Sequence, residues 1–202
     1  MTLSVLLPTL AAATILSANA LAQPRLATTL LPPISGACIS SPFGPRVLAE
    51  HPAAGSYHYG VDLPAPLGSA VLATAPGTVL RVQRKGPGGL EMLVQHDGFL
   101  GIYSHFGMIT PAFAEGKRTV VAGEKLGVVG RTGLTSGAHL FFEMVLDGKP
   151  VDPAKYLGLP LCPGVASHAP ADMPDDGGTT IDGKKYWLFG VAARQYHQWP
   201  QH

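Results

Sequence analysis

The chain has 202 residues, 14 Lys and Arg against 13 Asp and Glu, and a formal net charge of +1. So even a balance, with no long run of one sign, gives no electrostatic footing for nucleic acid or an anionic membrane surface. Its 25 Gly, 19 Pro and 13% charged residues exclude a fold of long solvated helices and favour an all-β domain with many tight turns.

Residues 1–22, "MTLSVLLPTLAAATILSANALA", carry no charged side chain. Pro8 and Asn19 interrupt the apolar run, whereas a stable membrane span needs about 20 apolar residues. The segment ends in small residues, "ANALA", at the spacing a signal peptidase accepts. It reads as a secretory signal peptide cleaved near Ala22, which places the mature chain outside the cytoplasm, secreted or periplasmic. No Lys or Arg precedes the apolar part, and an uncleaved anchor is the alternative. Residues 23–33, "QPRLATTLLPP", form an extended lead-in, because proline opposes helix and removes a backbone donor.

Residues 34–160 carry the β domain. Short apolar or alternating runs are separated there by Gly, Pro and Asp-Gly. "AVLATA" and "TVLRVQRK" flank the turn "PGT". "LEMLVQH" and "FLGIYSHF" flank an Asp-Gly, the strongest short hairpin signal. "KLGVVG" and "AHLFFEMVL" follow, and a second Asp-Gly leads into "KPV". No window keeps a 3.6-residue apolar period over a helical length. The expectation is an antiparallel β domain, sandwich-like or barrel-like. Residues 161–202 begin as a Pro/Gly/Asp-rich linker and end in a tail that regains aromatic residues, with a possible hairpin at Asp182-Gly183.

The two cysteines, Cys38 and Cys162, bracket this domain. In an oxidising compartment they could join its ends, and closing so long a loop contributes about 4–5 kcal/mol in the chain-entropy model. Sequence alone does not place their Cα atoms within bridging distance, so two separate thiols remain the alternative.

Several enzyme classes are absent by motif: there is no G-x-S-x-G, H-E-x-x-H, G-x-x-x-x-G-K-[ST] or G-x-G-x-x-G. What remains is a set of histidines, His58, His96, His105 and His139, inside the β region. His58 and Asp62 stand four apart in the extended segment "YHYGVDLPAP", so they project to one face. An imidazole beside a carboxylate suits a divalent metal, zinc above all, although such a pair also occurs in ordinary surface loops. His139, in "GAHLFFEMVL", shares a strand face with position 141, which is Phe. On residue pattern alone His139 reads as a packed strand histidine rather than a site residue.

The blocks "ISSPFGPRV", "HYGVDLPAPLGSAVLATAPGTV", "VQHDGFLGIYSHF" and "VAGEKLGVVGRTGLTSGAHLFFEMVLDGKPVDPAKYL" resemble, in order, the lysostaphin-type (LytM-like) peptidoglycan metallopeptidases from about Ile39 to Leu157. The resemblance implies an antiparallel fold of the duplicated-hybrid-motif, barrel-sandwich hybrid-like type. It further implies a zinc ion in an open groove and cleavage of peptide bonds in peptidoglycan cross-links. His58 and Asp62 then match zinc ligands, while His105 and His139 match catalytic histidines. Phe141 stands where the family has its third zinc ligand. Phenylalanine offers no lone pair, so zinc binding and hydrolysis are expected to be weakened. His51, His168, His197 and His202 are candidates for a substitute ligand. The alternatives are a degenerate module that binds peptidoglycan or activates cell-wall amidases, and a biotinyl/lipoyl-type carrier. The carrier would need a lysine at a hairpin tip, and only Lys149 comes near one.

Overall fold

The structure, a computed structural model, describes residues 30–46, 57–166, 179–181 and 184–186. The expected secretory segment and the candidate ligands His51, His168, His197 and His202 lie outside the described residues. The strands are β1 (Gly44–Pro45), β2 (Tyr57–His58), β3 (Gly60–Pro64), β4 (Ala70–Leu72), β5 (Gly77–Arg84), β6 (Leu90–His96), β7 (Phe99–Ser104) and β8 (Phe106–Ile109). They continue as β9 (Thr119–Val120), β10 (Lys125–Val129), β11 (His139–Leu146), β12 (Lys149–Val151), β13 (Thr179–Ile181) and β14 (Lys184–Tyr186). One-turn helices α1 (Pro111–Ala114) and α2 (Ala154–Leu157) complete the set.

A large antiparallel sheet runs β12-β11-β7-β6-β5-β9, with β3 also paired to β11. A smaller sheet runs β4-β10-β8. The large sheet ends at β9 and β12, and these pairings do not close a barrel. Alternation of side chains builds the core. Met92, Val94, Tyr103, Leu140, Phe142 and Met144 from the large sheet join Val71, Phe106, Ile109, Leu126 and Val129 of the smaller one in one buried cluster. Burial of each such side chain is worth about 1.5–3 kcal/mol. The opposite face of the large sheet carries a separate cluster of Leu93, Leu100, Ile102 and Val145.

The Asp-Gly pairs at 97–98 and 147–148 both join hairpin strands. β6 and β7 pair from His96↔Phe99 outward, and β11 and β12 from Leu146↔Lys149. Asp147 and Gly148 both have positive φ, 47° and 76°, the requirement of a type I′ turn. β13 and β14 also pair, Ile181 opposite Lys184. The turn at "PGT" differs: β4 does not pair with β5 but crosses to the smaller sheet beside β10, while β5 pairs with β6 and β9. Lys149 lies within the paired strand β12, not on a free tip.

Cys38 and Cys162 form a disulfide, with Cα atoms 4.9 Å apart across a sequence separation of 124. Backbone bonds from Ile39 N to Pro160 O and from Cys162 N to Ile39 O, both 2.9 Å, tie the same two segments together. Among the described residues, no helix is long and apolar enough to cross a membrane.

Candidate functional site

β11 organises the site. Its register sets Phe141 opposite Asp62 on β3 and opposite Ser104 on β7. His139 opens the strand opposite Pro64. His58 comes from β2, held by the short β1 through the pair Gly44↔His58. His105 lies between β7 and β8 with φ of 68°, left-handed backbone that costs a non-glycine residue about 1–3 kcal/mol. Its amide donates to Gly88 O and its carbonyl accepts from Gly130 N, so the turn is fixed by neighbours on both sides.

All four predicted site residues meet around Phe141. His58 Nε2 is 3.2 Å from Asp62 Oδ1, and His139 Nε2 is 3.4 Å from the same oxygen. The rings of His105 and His139 are 4.7 Å apart at their centroids. The Phe141 ring lies 5.3 Å from that of His58 and 6.2 Å from that of His105. Gly60 makes room for it: a Cβ there would come within 2.8 Å of the Phe141 ring and 2.4 Å of Phe142 O.

The three imidazoles are anchored alike. His58 Nδ1 lies 3.0 Å from Pro42 O, His139 Nδ1 3.0 Å from Gly137 O, and His105 Nδ1 2.8 Å from Thr132 O. A carbonyl only accepts, so each Nδ1 carries the proton and each Nε2 is left for the site. His58 Nε2 and His139 Nε2 face a carboxylate oxygen, and only a second proton or a metal ion can make that contact attractive. Burial works to raise the Asp62 carboxyl, but the charge of His58 and the hydrogen bonds from His139 and His58 outweigh it and hold the group well below the usual range. Burial would likewise lower the His139 imidazole, but Asp62 overrules it and holds it above its ordinary value. His105 is pushed down to about 4, first by burial and then by His139, and is neutral at pH 7.

Sequence reasoning missed three contributors. Ser41 pairs with Asp62 through the backbone, and its Oγ is 3.2 Å from His58 Nδ1. Arg46 donates from Nη1 to Ser41 Oγ at 3.5 Å and lies close enough for Asp62 to act on its charge. Both stand in "ISSPFGPRV", where the run of serines and arginine was the signal. Glu143, two residues beyond Phe141 on the same strand face, is buried with its Oε1 lacking a hydrogen-bond partner. His96 is elsewhere, packed in the core between Pro76 O and the Tyr103 hydroxyl.

The donor set fits a catalytic zinc only in part. His58 and Asp62 supply a nitrogen and an oxygen of the right kind, with His58 fixed from behind by a carbonyl as metal-binding histidines are. Phe141 supplies nothing. Among the described residues, no group of three or more His, Cys, Asp and Glu side chains is already arranged to hold an ion. Among the described residues, His58 and Asp62 by themselves leave a three-ligand zinc site incomplete.

Residues 56–153 match the family described as Peptidase family M23. The chain is 38% identical over 118 residues to the DD-carboxypeptidase/endopeptidase Mpg of Neisseria meningitidis serogroup B, covering 57% of this chain and 26% of that protein. It is 32% identical over 114 residues to the murein hydrolase activator NlpD of Salmonella dublin, covering 55% and 29%. A zinc-containing peptidase from Vibrio cholerae aligns in structure with a TM-score of 0.53 and 28% identity, over 64% of this chain and 40% of that one. The chain thus spans about a quarter of the length of the curated relatives it matches. These likenesses relate it to the M23, LytM-like peptidoglycan metalloendopeptidases.

Proposed function

We propose that this chain, related to the M23 peptidases, is an exported cell-wall protein acting on the peptide cross-links of peptidoglycan, with hydrolysis weakened by Phe141. Residues 34–160 form its working domain, of the duplicated-hybrid-motif type, after removal of residues 1–22. The observation that carries the proposal is the convergence of His58, Asp62, His105 and His139 on one strand face around Phe141. His58 and Asp62 would hold zinc, which when bound polarises a peptide carbonyl and makes water acidic enough to attack it. His105, neutral and anchored through Nδ1 to Thr132 O, offers Nε2 as a proton acceptor beside that centre.

The second reading is a degenerate module that binds peptidoglycan or activates an amidase. The incomplete ligand set and the likeness to a murein hydrolase activator favour it. Digestion of purified sacculi by the mature chain and by Phe141→His separates the two. Slow release of peptides by the native chain, faster by roughly tenfold or more in the variant, supports the peptidase. If neither form cuts but the native chain sediments with sacculi or accelerates an amidase, the second reading holds. A chain that neither cuts nor sediments sinks both.

A further inference from the structure

We infer that Thr132 is the positioning residue of His105: its carbonyl holds the imidazole and its hydroxyl holds the carbonyl in place, so that Nε2 is presented to the reacting centre. The inference rests on the reading of His105 as that centre's proton acceptor, but concerns what puts the ring there.

His105 needs a hold from outside its own strands. It lies between the end of β7 and the start of β8, and its φ is 68°, so sheet pairing does not set the direction of its ring. Its amide donates to Gly88 O at 2.9 Å and its carbonyl accepts from Gly130 N at 3.0 Å. Those bonds fix the backbone and leave the side-chain torsions to be settled. The ring is anchored by the 2.8 Å bond from Nδ1 to Thr132 O. Of the two carbonyls that act on its charge, Thr132 O is the stronger and Gly88 O the weaker.

Thr132 also stands outside any strand, in the run 131–138 that precedes β11, where a carbonyl is free to turn unless something else holds it. The hydroxyl does so. Thr132 Oγ1 donates to Phe106 O at 2.8 Å and accepts from Leu90 N at 2.9 Å, which uses it as both donor and acceptor and pins the residue between β8 and β6. Phe106 directly follows His105. One residue thus grips the ring of His105 through its carbonyl and the backbone beside that ring through its hydroxyl. The fit is close: a Cβ on Gly89 would run into the Thr132 carbonyl carbon, and Leu134 N donates to Pro87 O at 2.7 Å. Loops 86–89 and 130–134 interlock, with Thr132 at their contact.

The consequence is chemical. A carbonyl only accepts, so the bond to Thr132 O puts the proton on Nδ1 and leaves the Nε2 lone pair to the site, where the His139 ring is 4.7 Å away between centroids. Without that bond the imidazole exchanges tautomers, and part of the population has no lone pair to offer.

The test is the tautomer of each imidazole in the metal-free mature chain with isotope-labelled histidine, read near pH 7 from two-bond proton–nitrogen correlations. The native chain is compared with Thr132→Val and Thr132→Ser. Valine keeps the shape and removes both hydroxyl bonds, whereas serine keeps a hydroxyl. Expected is a native His105 protonated on Nδ1, and a tautomer ratio shifted by roughly fivefold or more in Thr132→Val, the factor that one net hydrogen bond commands. Thr132→Ser should return the native pattern. His58, anchored to Pro42 O on another segment, should not change and is the internal reference. An unchanged His105 in Thr132→Val overturns the inference. So does a serine variant that fails to rescue it, or a parallel loss of the His58 pattern, which would make Thr132 a general support of the fold. Digestion of sacculi reports on the functional reading separately. If Phe141→His cuts, Phe141→His/Thr132→Val should cut more slowly by roughly tenfold or more, and equal rates overturn the inference. If neither cuts, the peptidase reading falls, and the tautomer spectrum alone decides the hold of Thr132 on His105.

Discussion

The two faces of β11 obey different rules. Leu140, Phe142 and Met144 turn inward and are at most 1% exposed, and any apolar side chain of similar volume would serve there. His139, Phe141, Glu143 and Val145 turn outward, where each position has its own partner: a carboxylate, a pair of imidazoles, a second carboxyl group, an apolar cluster. Phe141 is a residue of inner-face type standing on the outer face. The comparison teaches that a fold can be kept intact by one face of a strand while the chemistry on the other is altered one residue at a time.

The sharpest break of this comparison is a pair of truncations. Phe142→Ala should cost about 3–5 kcal/mol in urea unfolding, as a cavity in a packed core does. Phe141→Ala, at a half-buried position, should cost well under half as much. Equal losses would mean that Phe141 has become a core residue and that the outer face no longer houses a site. Gly60→Ala tests the closeness of the two faces, because its Cβ would meet both Phe142 O and the Phe141 ring. A loss of about 1–3 kcal/mol is expected, as for overpacking, and a neutral effect would show that β3 can retreat from β11.

The smallest effect has the opposite sign. Burial, and then the nearby Glu91, raise the Glu143 carboxyl well above its ordinary value. Its folded state therefore holds a proton that the unfolded chain releases. The stability this contributes is complete below the ordinary value of 4.5 and is lost as pH rises through the folded value. Glu143→Gln should raise stability near pH 7 by about 1–2 kcal/mol, the cost of a poorly satisfied buried group, and flatten its fall between acid and neutral pH. A variant less stable than the native chain at pH 7 would show that the ionised carboxylate has a favourable partner.

Much of this was legible along the chain. Short apolar or alternating runs identified β6, β7 and β11, and the Asp-Gly pairs at 97–98 and 147–148 located hairpins, because two residues close each turn. The His58–Asp62 spacing predicted a shared face, and the side-chain contact follows it. The partner of β4 was not legible: "PGT" reads as a hairpin turn, and the strand's crossing to β10 depends on which apolar face each sheet must cover. Nor did the single position of His105 announce a left-handed backbone, which comes from hydrogen bonds to Gly88 and Gly130, residues on separate loops.

The sequence by itself determined the β character of this protein, its hairpins, the likeness to a wall-peptidase family and an apolar Phe141 on the strand face of His139. These depend on residue identity and on intervals of a few residues, where backbone geometry leaves little choice. Only the tertiary structure decided that Cys38 meets Cys162, that Arg46 and Ser41 stand behind His58 and Asp62, and that His139 faces the same carboxylate oxygen as His58. Those meetings join segments up to 124 residues apart, and they are set by the packing of whole sheets, which no local spacing encodes.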